Sequence, residues 1–122
     1  MWICLNNAFL SIVAYPADAA TLPVRARRAG DIEAVFGADV EVVTLPGRDY
    51  QFRAFLPRQI VADTIAQNVL DISYPNFKNS VTDDALHGAY AKVWAYVFST
   101  SAPRALPAPP AADAQTLQRC VS

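Results

Sequence analysis

Two dipeptides, Asn6-Asn7 and Pro46-Gly47, each stand between short apolar runs, and they constrain the fold more than any other feature of the chain. A two-residue turn between extended segments brings the chain back beside itself, so each dipeptide marks an antiparallel hairpin. Asparagine tolerates the positive φ that tight hairpin turns demand, and proline followed by glycine suits a type II turn. The first hairpin is predicted to join strands over Trp2–Asn6 and Phe9–Tyr15, the second strands over Val40–Leu45 and Tyr50–Leu56. Between them Leu22, Val24 and Ala26 alternate with Pro23, Arg25 and Arg27, so Leu22–Arg28 is a further strand with one face buried.

Helical spacing takes over elsewhere. Gly30–Gly37 is predicted to be a short helix: Asp31 is placed to cap its amides, Ile32, Val35 and Phe36 share a face, and Gly37 ends it. Pro57 is placed to open a second helix, with Val61, Ile65, Val69 and Ile72 along one side and Tyr74-Pro75 as its stop. Leu86, Ala89, Tyr90, Val93, Trp94, Val97 and Phe98 recur three and four residues apart, which no strand pattern reproduces. Ser80 and Asp83 are candidate caps for this last helix, and its stripe, centred on Trp94, reads as core before it reads as a binding surface. The element order is ββ-β-α-β-β-α-α: an α+β domain with an antiparallel sheet of about five strands and two to three helices, its β-α-β-β-α part compatible with a ferredoxin-like arrangement.

At 122 residues the chain has the length of one domain. Its 53% hydrophobic and 17% charged residues argue against wholesale disorder and against a coiled coil. Residues 1–100 are expected to form the domain. Residues 101–122 carry four of the nine prolines among alanines and are expected to be a disordered tail. No apolar run reaches the ~18 residues of a membrane span, so no membrane partner is expected. The net charge of −1 argues against a strongly basic nucleic-acid binder. The N-terminal apolar stretch lacks the basic start of a secretory leader, the first basic side chain being Arg25, and a cytoplasmic location is expected. Cys4 and Cys120 read as two thiols, with a disulfide between them as the alternative. No metal site or cofactor motif is present, so neither is expected.

The feature most informative about function is the second face of the sheet. With Leu22, Val24 and Ala26 inward, Arg25 and Arg27 point outward. With Tyr50, Phe52, Ala54 and Leu56 inward, Gln51, Arg53 and Phe55 point outward. Phe9, Ser11, Val13 and Tyr15 complete that face. Arginine interleaved with aromatics is enriched at protein interfaces, because both give large contact area at modest ordering cost. The same mixture stacks nucleobases on a sheet. The plainer alternative has the last helix crossing this face, with the arginines paired to Asp31, Glu33 or Glu41. Asn76-Phe77-Lys78-Asn79-Ser80 reads first as a connector in which Phe77 plugs the core and asparagine amides satisfy the loop, and second as a binding loop presenting Asn76 and Lys78. His87 is the one imidazole. Asp83 and Asp84, one turn before it, could orient it as a general base, and a surface histidine is the plainer reading.

Trp2 with Asn7–Val13, Val24-Arg25-Ala26-Arg27 with Gly30-Asp31-Ile32-Glu33 and Val35-Phe36, Asp49-Tyr50 with Phe52-Arg53-Ala54, Asn76–Val81, and Leu86-His87 with Ala89-Tyr90 and Val93-Trp94 together resemble a family of small bacterial and phage proteins that carries no assigned activity. The likeness covers residues 1–98, and the tail departs from it. It implies a compact stand-alone domain and supplies no catalytic residues. On a phage or mobile element the implied role is an inhibitor of host defence, of the anti-CRISPR type. The expected function is therefore non-catalytic docking on a partner protein through Arg25, Arg27, Arg53, Phe55, Asn76 and Lys78. The alternatives are a nucleic-acid module using the arginine face and a small enzyme using His87. A second copy of the chain is a further candidate partner.

Overall fold

A computed structural model describes residues 1–100. The expected disorder of 101–122 and the state of Cys120 lie outside the described residues. Five strands form one antiparallel sheet: β1 (Trp2–Cys4), β2 (Phe9–Ile12), β3 (Thr21–Ala26), β4 (Val43–Thr44) and β5 (Phe52–Pro57), in the order β1-β2-β3-β5-β4. Four helices accompany it: α1 (Asp31–Phe36), α2 (Arg58–Leu70), α3 (Phe77–Ser80) and α4 (Asp84–Phe98). The class is α+β, and the elements follow the predicted order with α3 added. α1 crosses from β3 to β4, and β5 returns between them. The chain then continues into helices, and β2 takes the place beside β3 where a ferredoxin-like fold returns its last strand.

Alternation along the strands sorts the two faces. Leu10 and Ile12 of β2, Val24 and Ala26 of β3 and Ala54 of β5 are buried together with Ala8, Ile32 of α1 and Val61 of α2. Ile3, Leu22, Val35, Phe36, Phe52, Leu56 and Ile65 pack against them. α1 and α2 therefore cover one face of the sheet. α4 adheres elsewhere, through a small second cluster of Val81, Leu86 and Tyr90 against Phe9 and Phe77.

Several local expectations are corrected. The Asn6-Asn7 hairpin turns without positive φ, which among the described residues occurs only at Gly30, Gly37 and Gly47. The turn closes instead through the Leu5 amide donating to the Ala8 carbonyl at 2.8 Å. The Tyr90 hydroxyl lies 2.9 Å from the carbonyls of both Leu5 and Ala8. β4 keeps only two residues of the predicted Val40–Leu45 strand, because Val40 and Val42 turn to pack on the core. Gly47, at φ +83°, makes the sharp turn expected of Pro46-Gly47. Pro57 closes β5 and precedes α2 rather than serving as its first residue. α2 buries Val61 and packs Ile65, but Val69 and Ile72 are exposed, because α2 touches the sheet only through its first half.

Asp83 caps α4 as expected, accepting from the Leu86 amide at 2.9 Å, whereas the Ser80 hydroxyl donates to the Phe77 carbonyl within α3. Asp31 is not a cap. Gly30 occupies that position, and the buried Asp31 carboxylate accepts from the Phe9 amide at 3.2 Å and from Arg28 at 3.0 Å. The largest departure is the stripe of α4. Leu86 and Tyr90 are buried, but Trp94 is 54% exposed, and Val93, Val97 and Phe98 are exposed with it. The first two turns of α4 lean on Phe9 and Phe77, and no described element lies over the rest.

Candidate partner-binding face

The outer sheet face follows from the register. Trp2 pairs with Ser11, Ser11 with Arg25, Arg25 with Arg53, and Arg53 with Val43, so these five side chains cross the sheet as one row. One step along the strands, Pro23 pairs with Phe55. Tyr15 closes on Phe55 with ring centroids 5.2 Å apart, and Trp2 meets Phe9 edge-on at 6.1 Å. The arginines thus run between two aromatic pairs. Arg25, Arg27, Arg53 and Phe55 share this face, as the alternation predicted.

The arginines are held without carboxylates. Arg25 donates from Nη2 to the Ser11 hydroxyl at 2.7 Å, and its guanidinium lies 4.7 Å over the Tyr50 ring. Arg27 lies 5.9 Å over the same ring and donates from Nε to the Asp49 carbonyl at 3.2 Å. Tyr50 was expected on the inner face. It precedes β5 and belongs to the turn, so the strand alternation does not reach it, and its ring folds back over the arginines. Nε of Arg25 and Nε of Arg53 are buried with no hydrogen-bond partner. A buried donor without an acceptor costs about 1–3 kcal/mol. Like charges directly opposite on a sheet are destabilising too.

The expected pairing of these arginines to Asp31, Glu33 or Glu41 does not form. Among the described residues both ion pairs belong to Arg28, which bridges Asp31 and Asp83 at 3.0 Å each. That bridge joins the start of α1 to the cap of α4. The Leu86 amide first, and this bridge second, hold the Asp83 carboxyl below the usual aspartate value. The bridge also raises Arg28, through the Asp31 hydrogen bond above all. Arg28 was expected as the last residue of the strand Leu22–Arg28, but β3 ends at Ala26 and Arg28 lies beyond it, free of the strand alternation. Only its distance of three residues from Asp31 hinted at a pair.

α4 touches the outer face only at its Phe9 corner, and a groove lies on each flank. One, of about 300 Å³, lies among Phe9, Arg27, Leu86, Tyr90 and Val93. The other, of about 580 Å³, lies among Cys4, Phe77, Lys78, Trp94, Val97 and Phe98. Cys4 is exposed on β1, and partial burial pushes its thiol above the ordinary value. Asn76 stands at the start of α3 and Lys78 within it, and neither lies in the arginine row. The Asn76 side chain accepts from the Asn79 amide at 3.1 Å as the cap of α3, and Lys78 Nζ lies 4.2 Å over the Trp94 ring. Phe77 packs on Tyr90 at 5.4 Å, so the segment is built as a connector. His87 is exposed on α4 and lines neither groove. Asp83, which was to orient it, is committed to Leu86 and Arg28.

Among the described residues no cluster of His, Cys, Asp or Glu could hold a metal ion, and no helix is long and apolar enough to cross a membrane. Comparison with known proteins finds no matching family model, no matching curated protein and no matching solved structure.

Proposed function

We propose that the protein is a non-catalytic binding protein that docks on a partner protein through the outer sheet face. One observation carries this reading: α1 and α2 both pack on the opposite face, which leaves Arg25, Arg27, Arg53 and Phe55 together and without ion pairs among the described residues. Arginines flanked by aromatic pairs suit the centre of an interface, where a few such anchors dominate affinity. The resemblance to small bacterial and phage proteins accords with an inhibitor of host defence of the anti-CRISPR type, acting by occupying a surface of its target.

The test places a photo-reactive amino acid at Phe55 and, separately, at Gln59 on the exposed side of α2. Docking through the sheet face yields a nuclease-resistant protein adduct from the Phe55 position alone, and Arg25→Ala/Arg27→Ala/Arg53→Ala abolishes it. Adducts from Gln59 with none from Phe55 would refute the reading. The mixture of arginine and aromatics also supports a second reading, a nucleic-acid module. Nuclease-sensitive adducts, with affinity that falls steeply as salt rises, would select it.

A further inference from the structure

We infer that the partner presents carboxylates, and that Arg25 and Arg53, side by side across β3 and β5, receive an acidic segment of it. This rests on the docking reading above and names the chemistry of the occupant. The two residues stand directly opposite each other in the register of β3 and β5, an arrangement that is unfavourable for like charges. An arriving carboxylate relieves that repulsion. The chain has 11 acidic residues against 10 basic ones, yet none of the described acidic side chains pairs with Arg25, Arg27 or Arg53.

Hydrogen bonding points the same way. Nε of both Arg25 and Arg53 is buried without an acceptor, so an arriving carboxylate meets these residues at the terminal Nη1 and Nη2, which offer two parallel N–H donors in fork geometry. Arg25 is already fixed by Ser11 and by the Tyr50 ring, so little rotamer freedom is lost on binding. The surroundings favour a protein segment over a polyanion. Phe55, Tyr15, Trp2 and Val43 border the row with exposed apolar surface, and Asp49 adjoins Arg27. A nucleic acid would instead require an extended basic track.

The test titrates the full chain with three probes: a short blocked peptide of alternating leucine and glutamate, its leucine–glutamine counterpart, and an oligothymidylate. Binding is read on the arginine guanidinium N–H resonances. The glutamate peptide is expected to move those of Arg25 and Arg53 and to bind about tenfold tighter than the glutamine peptide. Arg25→Lys/Arg53→Lys keeps the charge and removes the fork, and is expected to lose most of that preference. Equal binding of the two peptides, unmoved guanidinium N–H resonances, or an undiminished preference in the lysine variant would each overturn the inference. So would an oligothymidylate that binds tighter than the glutamate peptide. If the glutamate preference is absent while the Phe55 adduct still forms, docking stands and the carboxylate chemistry falls. If the Phe55 adduct itself is absent, the docking reading falls.

Discussion

Tyr90 rather than Trp94 holds α4 to the domain, and the two substitutions to alanine separate these roles sharply. Tyr90 is 5% exposed, packs on Phe77, and sets its hydroxyl 2.9 Å from two carbonyls of the first hairpin turn. A buried tyrosine removes roughly 150–200 Å² from water, and at about 25 cal/mol per Å² its ring contributes about 4–5 kcal/mol. The site lies at the edge of the fold and can relax, so Tyr90→Ala is expected to cost about 3–4 kcal/mol. Tyr90→Phe removes only the hydroxyl, whose single proton serves one turn carbonyl at a time, at about 1–2 kcal/mol. Trp94, half exposed, keeps only its stack on Phe98 and the contact with Lys78, so Trp94→Ala is expected to cost about 1 kcal/mol or less. Urea unfolding followed by far-ultraviolet circular dichroism gives all three values. Amide exchange should show α4 opening ahead of the sheet in Tyr90→Ala and not in Trp94→Ala. A Trp94→Ala loss equal to that of Tyr90→Ala would refute this account of α4 and return its stripe to the core.

Arg28→Ala is expected to cost about 2 kcal/mol in the same unfolding assay, because it leaves the buried Asp31 carboxylate without its counter-charge; Arg28→Lys recovers only part, since a single ammonium cannot replace the fork. The depressed Asp83 carboxyl contributes to the acid limb, as does Asp18, which the Thr21 hydroxyl and the Ala20 amide depress. A folded-state value below the unfolded 3.8 gives stability that is complete above that pH and lost as pH falls through the folded value, and Asp83→Asn should flatten this limb in a pH series of unfolding midpoints. The raised Cys4 thiol should alkylate with iodoacetamide more slowly than a free cysteine at neutral pH and gain rate only above about pH 9, as read by peptide mapping; rapid neutral alkylation would contradict its desolvation.

The strand alternation was legible because a residue's face depends on its parity alone once one side of the sheet is buried. Arg25, Arg53 and Phe55 therefore lie where period two puts them. Tyr50 escaped that logic because the turn breaks parity before β5 begins. The α4 stripe misled for a different reason. Periodicity states which residues share a helix face and not whether another element covers it, and here only Leu86 and Tyr90 find a neighbour. The connector at Asn76–Ser80 was readable from its asparagine cap and its aromatic plug. The Arg28 bridge was not, since Arg28 and Asp83 are 55 residues apart and meet only once α4 has docked. The same docking consumes Asp83, one of the two carboxylates, with Asp84, that made His87 a candidate base.

The central claim is that the arginine row serves binding and not folding, and the unfolding free energy of Arg53→Leu tests it most directly. Arg53 stands opposite Arg25, makes no ion pair with any described residue, and buries an Nε that nothing accepts. Leucine keeps much of the side-chain stem while removing the charge and the orphaned donor. The account predicts a variant at least as stable as the parent, within about 0.5 kcal/mol or better, because a residue retained for binding at the expense of stability can be replaced without loss. A loss of more than about 2 kcal/mol would show Arg53 to be part of the structural framework and would contradict the claim.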